Sequence, residues 1–427
     1  MRASMPLVRR GVVAAAMLTV AGIAHAQQAN ASAAAFGLAG NYIARAHGYQ
    51  ALAWNPAMLG MPGNPGFSFG ALAVSGNSGL DPVDLNAFAL YSGKDIPAET
   101  RQTWLSQVQA KNGETGTADG GASLLGISVG PFALQVSSAA YAAAKLSPDA
   151  FEAVMFGNAG NTGTAHNLSF QGSSLTSGAF TTAAIGYGHA LALPLFSGLS
   201  SLSVGVTGKY IIGNAVAMAQ DAGSAFDTTT VNVNFPMVYS DPSSNAVAGS
   251  GYGMDLGVAW TAGGITGGAS IQNVVNTFAW DQSKMKSQVA TASFDGTTTS
   301  AQTTDQPYSA APQTLRDKIA NDKFTPVLGA GIAYQLASKV VISGDAHQQV
   351  GDGISIGPKT SIGTGLEYRG IPFIPLRGGF SYVTDGWVAG GGLGIAIGPY
   401  ELGVSGRLGQ RNGARDGGVM LNLISIH

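Results

Sequence analysis

Large apolar residues recur at every second position along much of this chain. One segment alternates them with Gly, Asp and Ala, at Tyr252, Met254, Leu256, Val258 and Trp260. Alternation with a period of two is typical of a β-strand that has one apolar face and one small or polar face. Because the pattern recurs many times, it predicts a protein built mainly from such strands.

The pattern predicts about 14 strands. They lie at residues 66–75, 121–130, 131–141, 178–191, 199–212, 251–261, 264–273, 325–335, 338–348, 359–370, 374–383, 387–397, 399–408 and 417–426. The connections between them alternate between short turns and longer links. An up-and-down membrane barrel has short periplasmic turns at one rim and long outer loops at the other.

The alternation therefore predicts an all-β fold, a transmembrane antiparallel β-barrel of about 14 strands with both termini on the periplasmic side. A soluble all-β protein is the competing interpretation, but it gives no reason for long and short connections to alternate. Residues 288–312, in one of the longer links, are rich in Thr, Ser, Ala and Gln, and we expect them to be mobile.

Two of the longer links are predicted to contain helices, one over residues 97–111 and one that begins at Ser147 and Pro148. Their apolar faces consist of Trp104, Leu105 and Val108 in the first helix, and of Phe151, Val154 and Met155 in the second. Two interpretations are open. These faces form the entrance for a hydrophobic ligand, or they pack against the rim of the barrel.

The strand alternation also assigns charged residues to the lumen, because an Arg or Lys that faced lipid at the midplane would cost about 2–4 kcal/mol. The lumen set is Lys209, Asp255, Asp345, His347, Glu367, Arg369, Arg377, Glu401 and Arg407. Charges of both signs do not build a field that selects one sign of ion. We therefore favour the interpretation that they pair with one another, or with a plug, over a role in ion selectivity.

Composition agrees with a membrane barrel of an exported protein. Charged residues make up 10% of the chain, against roughly 25% in soluble domains, and there are no cysteines. Residues 1–26 have the basic start, short apolar core and small-residue cleavage site of a signal peptide. The apolar core is too short for a membrane anchor, and no later stretch predicts a transmembrane helix. The net charge of −2 argues against a nucleic-acid partner.

The sequence gives little reason to expect an enzyme. Gly-x-Ser-x-Gly occurs at residues 126–130 and 353–357, but a nucleophile elbow needs a strand, a sharp turn and a helix. Asp345 and His347 share a strand face without a third metal ligand. We therefore expect no catalytic residues, no metal and no cofactor.

Residues 37–60 are compact and apolar and precede every predicted strand. They end in Trp54, Asn55, Pro56, Ala57 and, after one residue, Leu59. This segment resembles the N-terminal hatch of the FadL-type outer-membrane channels for fatty acids and other hydrophobic compounds, a superfamily that includes PorV-like barrels. The resemblance divides the chain into a signal peptide (1–26), a hatch (27–65) and a barrel (66–427).

The resemblance implies a bacterial outer-membrane channel for passive uptake of hydrophobic or amphiphilic small molecules, gated by the hatch. A PorV-like barrel that serves secretion, with another protein as its partner, is the alternative. Outer-membrane lipids, the barrel-assembly machinery and a hydrophobic ligand or detergent are the expected partners. No ligand-binding residue is carried over from the family.

Overall fold

The fold is seen in a computed structural model of the chain. The structure describes residues 32–157, 160–164, 166–192, 198–226, 231–243, 247–294, 299–354, 358–384, 386–411 and 414–426. The predicted signal peptide, residues 1–26, lies outside the described residues.

Fourteen antiparallel strands form a closed barrel. They are β1 (Phe67–Asp81), β2 (Glu114–Val129), β3 (Phe132–Leu146), β5 (Ser174–Ala190), β6 (Ser201–Gln220), β9 (Gly249–Ala262), β10 (Ile265–Asn276), β14 (Val327–Ala337), β15 (Val340–Gln349), β16 (Thr360–Ile371), β17 (Ile374–Val383), β18 (Gly386–Ile397), β19 (Tyr400–Arg411) and β20 (Ala414–Ile426). Each strand pairs with the next along this list, and β1 pairs with β20 from Phe69 opposite Ile426 to Leu80 opposite Arg415. The predicted fold class and strand number are confirmed.

Among the described residues, six further strands lie in the long connections, at the outer rim of the barrel. They are β4 (Leu168–Ser169), β7 (Ala225–Phe226), β8 (Val231–Ser240), β11 (Ala279–Trp280), β12 (Met285–Phe294) and β13 (Thr299–Pro307). β12 pairs with both β8 and β13 along their lengths. Most of the described residues of 288–312 therefore hydrogen-bond as strands of an outer sheet, and their mobility stays a prediction.

Among the described residues, five α-helices accompany the strands. They are α1 (Ala33–Gly37), α2 (Leu85–Ala89), α3 (Ala98–Ala110), α4 (Pro148–Phe156) and α5 (Gln313–Asn321). The Ser147 hydroxyl caps α4 by accepting a hydrogen bond from the Ala150 N–H, with Pro148 at the first helical position, as the sequence predicts. No helix of the described residues is long and apolar enough to cross a membrane.

The outer surface of the barrel is apolar and the inner surface is small or polar. On β6, Val204 and Val206 are exposed, whereas Ser203 and Thr207 are buried inside. Exposed aromatic residues lie near both rims: Tyr210, Tyr252 and Tyr382 toward the long connections, and Phe67, Phe132, Tyr334 and Tyr400 toward the short turns. An apolar band between two aromatic girdles is the surface of an outer-membrane barrel, with its short turns on the periplasmic side.

The first prediction concerns sidedness. Ser283 lies between β11 and β12 and Ser338 lies in the turn between β14 and β15, and both residues are exposed. In cells that make Ser283→Cys or Ser338→Cys, a membrane-impermeant thiol reagent is expected to label only the first, since the native chain has no cysteine. Labelling of Ser338→Cys in intact cells would show that the barrel is inserted the other way round.

Candidate functional site

Residues 32–60, here called the N-terminal segment, lie inside the barrel. α1 packs against β17 to β20, and two 3₁₀ helices, Gly48–Ala53 and Pro56–Gly60, pack against β1 to β3 and against β5, β6, β9 and β10. Buried apolar side chains fill the contacts, among them Phe36, Leu38, Ile43, Leu52 and Leu59. Because the segment touches walls on opposite sides, it crosses the lumen.

The wall hydrogen-bonds the backbone of this segment with short polar side chains. The Asp345 carboxylate accepts from the backbone N–H groups of Tyr42 and Ile43, at 2.7 Å for Ile43. Three wall serines donate to backbone carbonyls of the segment: Ser343 to Asn41 at 3.0 Å, Ser381 to Ala39 at 2.9 Å and Ser405 to Ala33 at 2.6 Å. For Ala39, Asn41, Tyr42 and Ile43, which lie outside helices and strands, these bonds satisfy buried backbone groups.

The residues of the predicted hatch motif lie at one end of the N-terminal segment. Asn55 caps the second 3₁₀ helix by accepting from the Ala57 N–H at 3.1 Å, and its amide donates to the Val258 carbonyl on β9 at 3.0 Å. Pro56 occupies the first position of that helix, where its missing N–H costs nothing. Ala57 and Leu59 are buried, and the Trp54 ring packs edge-on against Tyr42, with ring centroids 5.9 Å apart.

Five charged side chains form one ion cluster between the N-terminal segment and the wall. Arg45 of the segment donates to Glu367 on β16 at 2.6 Å. The same carboxylate accepts from Arg369 at 2.7 Å and from Arg377 at 2.6 Å, and Arg377 also donates to Glu401 at 2.6 Å. Glu367 therefore keeps two cationic partners on the wall when Arg45 moves away.

The remaining predicted lumen charges lie near partners too. Lys209 and Asp255 form a buried pair at 2.6 Å. The Arg407 guanidinium stacks over the Phe36 ring of α1, 4.7 Å from its centroid. His347 lies 3.9 Å from Asp345 and packs edge-on against Trp54. This arrangement agrees with the interpretation that the lumen charges pair with one another and with a plug.

The two predicted loop faces pack against each other. Trp104, Leu105 and Val108 of α3 form one buried cluster with Phe151 and Met155 of α4, and Val154 is half-buried beside them. Arg101 fixes the pair by donating to the Met155 carbonyl at 2.6 Å. The faces are therefore closed to solvent in this arrangement, and their role as an entrance stays a prediction.

A second apolar cluster, here called the aromatic box, lies against the inner face of the barrel wall, toward the long connections. Its rings come from three separate parts of the chain: Phe180 on β5, Phe278 and Trp280 after β10, and Phe324 after α5. Leu315 and Ile319 of α5 bury against it from outside. No local pattern in the sequence predicts this cluster, because only the fold brings its members together.

Asp322 supplies the polar contact of the aromatic box. Its carboxylate accepts from the indole N–H of Trp280 at 2.8 Å and from the Tyr141 hydroxyl at 3.5 Å. Burial raises the pKa of this carboxyl from its ordinary value of 3.8 to about 6. Ionisation of Asp322 therefore works against the buried position of residues 313–324, which we call the closed arrangement of this segment.

A pocket of ≈ 290 Å³ lies at the opposite, periplasmic face of the N-terminal segment. Its lining comes from residues 44–47 and 58, from residues 61–64 that lead into β1, and from Thr261 and Thr266 beside the turn between β9 and β10. Arg45 is among the lining residues. The ion cluster and this pocket thus meet at one residue.

The serine of the first Gly-x-Ser-x-Gly match does not lie in a nucleophile elbow. Ser128 is buried within β2 and hydrogen-bonds Ser68 of β1 at 2.7 Å. The Ser68 hydroxyl in turn accepts from the Tyr49 N–H at 2.9 Å, which makes this pair part of the support for the N-terminal segment. Ser355 of the second match lies outside the described residues.

A second prediction tests how closely the N-terminal segment packs. A Cβ atom on Gly205 of β6 would lie 2.3 Å from the Ala57 backbone nitrogen, whereas one on Gly208 of the same strand would meet nothing within 4 Å. Gly205→Ala is expected to destabilise docking of the segment by about 1–3 kcal/mol. Hydrogen exchange of residues 48–60 should rise in Gly205→Ala and stay native in Gly208→Ala. Equal exchange in the two variants would contradict this packing.

A third prediction concerns pH. Since the pKa of Asp322 is raised in the closed arrangement, closure should weaken as pH rises through about 6 and strengthen toward the ordinary value of 3.8. Hydrogen exchange of residues 313–324, corrected for intrinsic rates, should show more protection below this range than above it. Asp322→Asn keeps an acceptor for Trp280 and should abolish the difference. A pH dependence that survives in Asp322→Asn would assign it to another group.

No protein-family profile matches the chain, and no curated protein sequence matches it. The structure is similar to that of the toluene transporter TbuX of Ralstonia pickettii, with a TM-score of 0.51 and 13% identity over 94% of this chain and 100% of that chain. It is also similar to the Pseudomonas putida toluene transporter TodX, with a TM-score of 0.51 and 12% identity over 93% of this chain and 97% of that chain. The chain has the fold of these two transporters, and the resemblance to FadL-type channels is confirmed for the fold.

Proposed function

We propose that the chain is an outer-membrane channel for the passive uptake of small hydrophobic or amphiphilic molecules, gated by its N-terminal segment. The observation that carries the proposal is a barrel of this fold with a lumen that its own N-terminal segment crosses. The names of the similar structures, toluene transporter and monoaromatic hydrocarbon channel, support this cargo class. Catalysis is not part of the proposal.

The lining of the lumen favours uncharged cargo. The aromatic box offers rings at the outer end, where an apolar molecule gains contact without losing hydrogen bonds. Ions find no comparable site, because the charges described in the lumen are largely paired, and an unpaired charge taken out of water is costly. Below the N-terminal segment, the pocket of ≈ 290 Å³ offers space on the periplasmic side.

The contact between Arg45 and Glu367 is the proposed latch of the gate. It joins the N-terminal segment to the wall at 2.6 Å, next to the periplasmic pocket. Breaking it does not strand a buried carboxylate, since Arg369 and Arg377 stay with Glu367. A latch of this kind opens at the cost of one charged hydrogen bond, about 1.5–3 kcal/mol.

The fourth prediction compares two arginines that share one partner. Arg45→Met removes the bond from the N-terminal segment, and Arg369→Met removes a bond to the same carboxylate from the wall. Arg45→Met should raise the open fraction roughly tenfold, the ratio that 1.4 kcal/mol supplies, and with it the conductance and the leakage of small solutes. Arg369→Met is the matched control and should leave both near native values. Similar leakage in the two variants would mean that the ion cluster serves the wall and not the gate.

The fifth prediction tests transport itself. In a bacterial host with an intact outer membrane and no hydrocarbon channel, production of the chain should raise the initial rate of uptake of dilute radiolabelled toluene several-fold. The rate should follow the concentration gradient and need no energy source, whereas uptake of a sugar of similar mass should not change. Unchanged toluene uptake, together with a stoichiometric protein partner on purification, would favour the secretion-associated alternative.

A further inference from the structure

The aromatic box has the geometry of a binding site for one ring. Phe180, Phe278 and Trp280 are attached to the barrel wall or to the segment that directly continues β10, and their centroids lie 5.1–5.5 Å apart. The angles between the planes of Phe278 and its two neighbours, 76° and 83°, are those of edge-to-face contacts. Three rings in this arrangement present both faces and edges to a fourth.

The fourth ring belongs to the chain itself. The Phe324 ring packs edge-to-face on Phe180, at 5.0 Å and 64°, and on Phe278, at 5.3 Å and 70°. It is buried, with 5% of its surface exposed. Phe324 does not belong to a barrel strand: it follows α5 and forms an isolated bridge with Ile354. A side chain from an outer link therefore fills a box that the barrel builds.

The chemistry of this occupant indicates the ligand. Beyond its α-carbon, a phenylalanine side chain is a benzyl group, which has the ring and the one attached carbon of toluene. We propose that the aromatic box is a binding site for a single unfused aromatic ring, and that Phe324 occupies it as a built-in competitor until the segment 312–324 withdraws. This inference rests on the proposed function and names the substrate class of that channel.

The surroundings of the box limit the size of the ligand. A Cβ atom on Gly213 of β6 would lie 2.4 Å from the Trp280 ring and 3.0 Å from the Phe278 ring, so the box already touches the wall backbone. Tyr141 of β3 stacks on Phe180, with ring centroids 6.3 Å apart, so we expect space for a fourth ring to come from withdrawal of Phe324. A fused two-ring compound would need the wall to move, and a non-aromatic ring would lack the edge-to-face electrostatics.

The segment that carries Phe324 is attached in a way that permits withdrawal. Leu315 and Ile319 bury against the box, and the backbone is tied by a bond from the Ile354 N–H to the Lys323 carbonyl at 2.8 Å. Asp322 adds the contacts to Trp280 and Tyr141. Lys318 of α5 also donates to Gln220 at the outer end of β6 at 2.7 Å. Among the described residues, these contacts are side-chain contacts and the backbone bridge to Ile354, and none is a ladder to a barrel strand, so they can break without opening the barrel.

The test measures toluene binding at Trp280 in the full chain in lipid nanodiscs, labelled with 5-fluorotryptophan. The chain has five tryptophans, and Trp280→Phe identifies the resonance of interest by its loss. Toluene is the probe, and methylcyclohexane, with the same number of carbons and no aromatic ring, is the comparison. Removal of a competing side chain raises the apparent affinity by the inverse of the fraction of empty boxes. Phe324→Ala also leaves an apolar cavity, and cavities of about 150 Å³ are known to stay dry and bind benzene.

Toluene is expected to shift the Trp280 resonance in the native chain. In Phe324→Ala, the same shift should need a toluene concentration at least about tenfold lower. Phe88→Ala is the matched control, because Phe88 packs on a different tryptophan, Trp104, at 4.9 Å. It should leave the Trp280 titration native, and methylcyclohexane should act more weakly than toluene. If Phe324→Ala fails to fold to a heat-modifiable barrel, Phe324→Leu replaces it, with a smaller shift in the same direction.

The inference is overturned if Trp280 does not respond to toluene, if the native chain and the Phe324 variant respond at equal concentrations, or if methylcyclohexane acts as strongly. Toluene uptake by producing cells without a response at Trp280 would refute the box and keep the channel. A response at Trp280 without toluene uptake would keep the binding site and refute the channel.

Discussion

Everything inside the barrel depends on one constraint: the irregular backbone of the N-terminal segment is buried and must find hydrogen-bond partners there. A buried N–H or carbonyl without a partner costs roughly 1–3 kcal/mol. The wall meets this need with residues too short to take up the space, chiefly the serines 343, 381 and 405 and the carboxylate of Asp345. The segment therefore stays in the lumen because leaving would strip its partners as well as its apolar contacts.

Two sets of contacts inside the barrel differ in their physics. Those of the N-terminal segment are polar: wall side chains hydrogen-bond its backbone, and Arg45 joins a cluster of paired charges. Those of the aromatic box are apolar, and Asp322 adds a polar contact to Trp280 and Tyr141. In the proposed channel, a hydrated ion would gain at neither place, whereas an apolar ring would take the place of Phe324. The proposed function therefore predicts selection for cargo that gives up water easily.

Most of the barrel follows from local pattern, and most of the site does not. Alternation of period two depends on each strand alone, so it predicts all fourteen strands. Among the charges that it assigns to the lumen, Glu367 is buried. The alternation fails where one residue interrupts the phase: Leu72 has a φ of 57°, and the inward face of β1 passes from Gly70 to Ala73 there. The aromatic box joins three parts of the chain that lie more than forty positions apart. In the outer sheet, β12 and β13 are polar and carry no clear apolar alternation, whereas β8 does alternate, from Val231 to Tyr239, and was not predicted.

The gate proposed for the N-terminal segment is tested most directly by transport through a barrel in which that segment is fixed. Leu38 lies against Gly365 of β16, where an added Cβ would be 3.1 Å from that of Leu38, close enough for a disulfide after a small adjustment. The measurement is the initial rate of toluene uptake by cells with Leu38→Cys and Gly365→Cys together, oxidised and then reduced, in a chain without other cysteines. If the N-terminal segment must move for cargo to pass, channel-dependent uptake will be lost on oxidation and will return on reduction. Uptake at the native rate by the oxidised barrel would show that cargo crosses without any movement of this segment, and would contradict the gate.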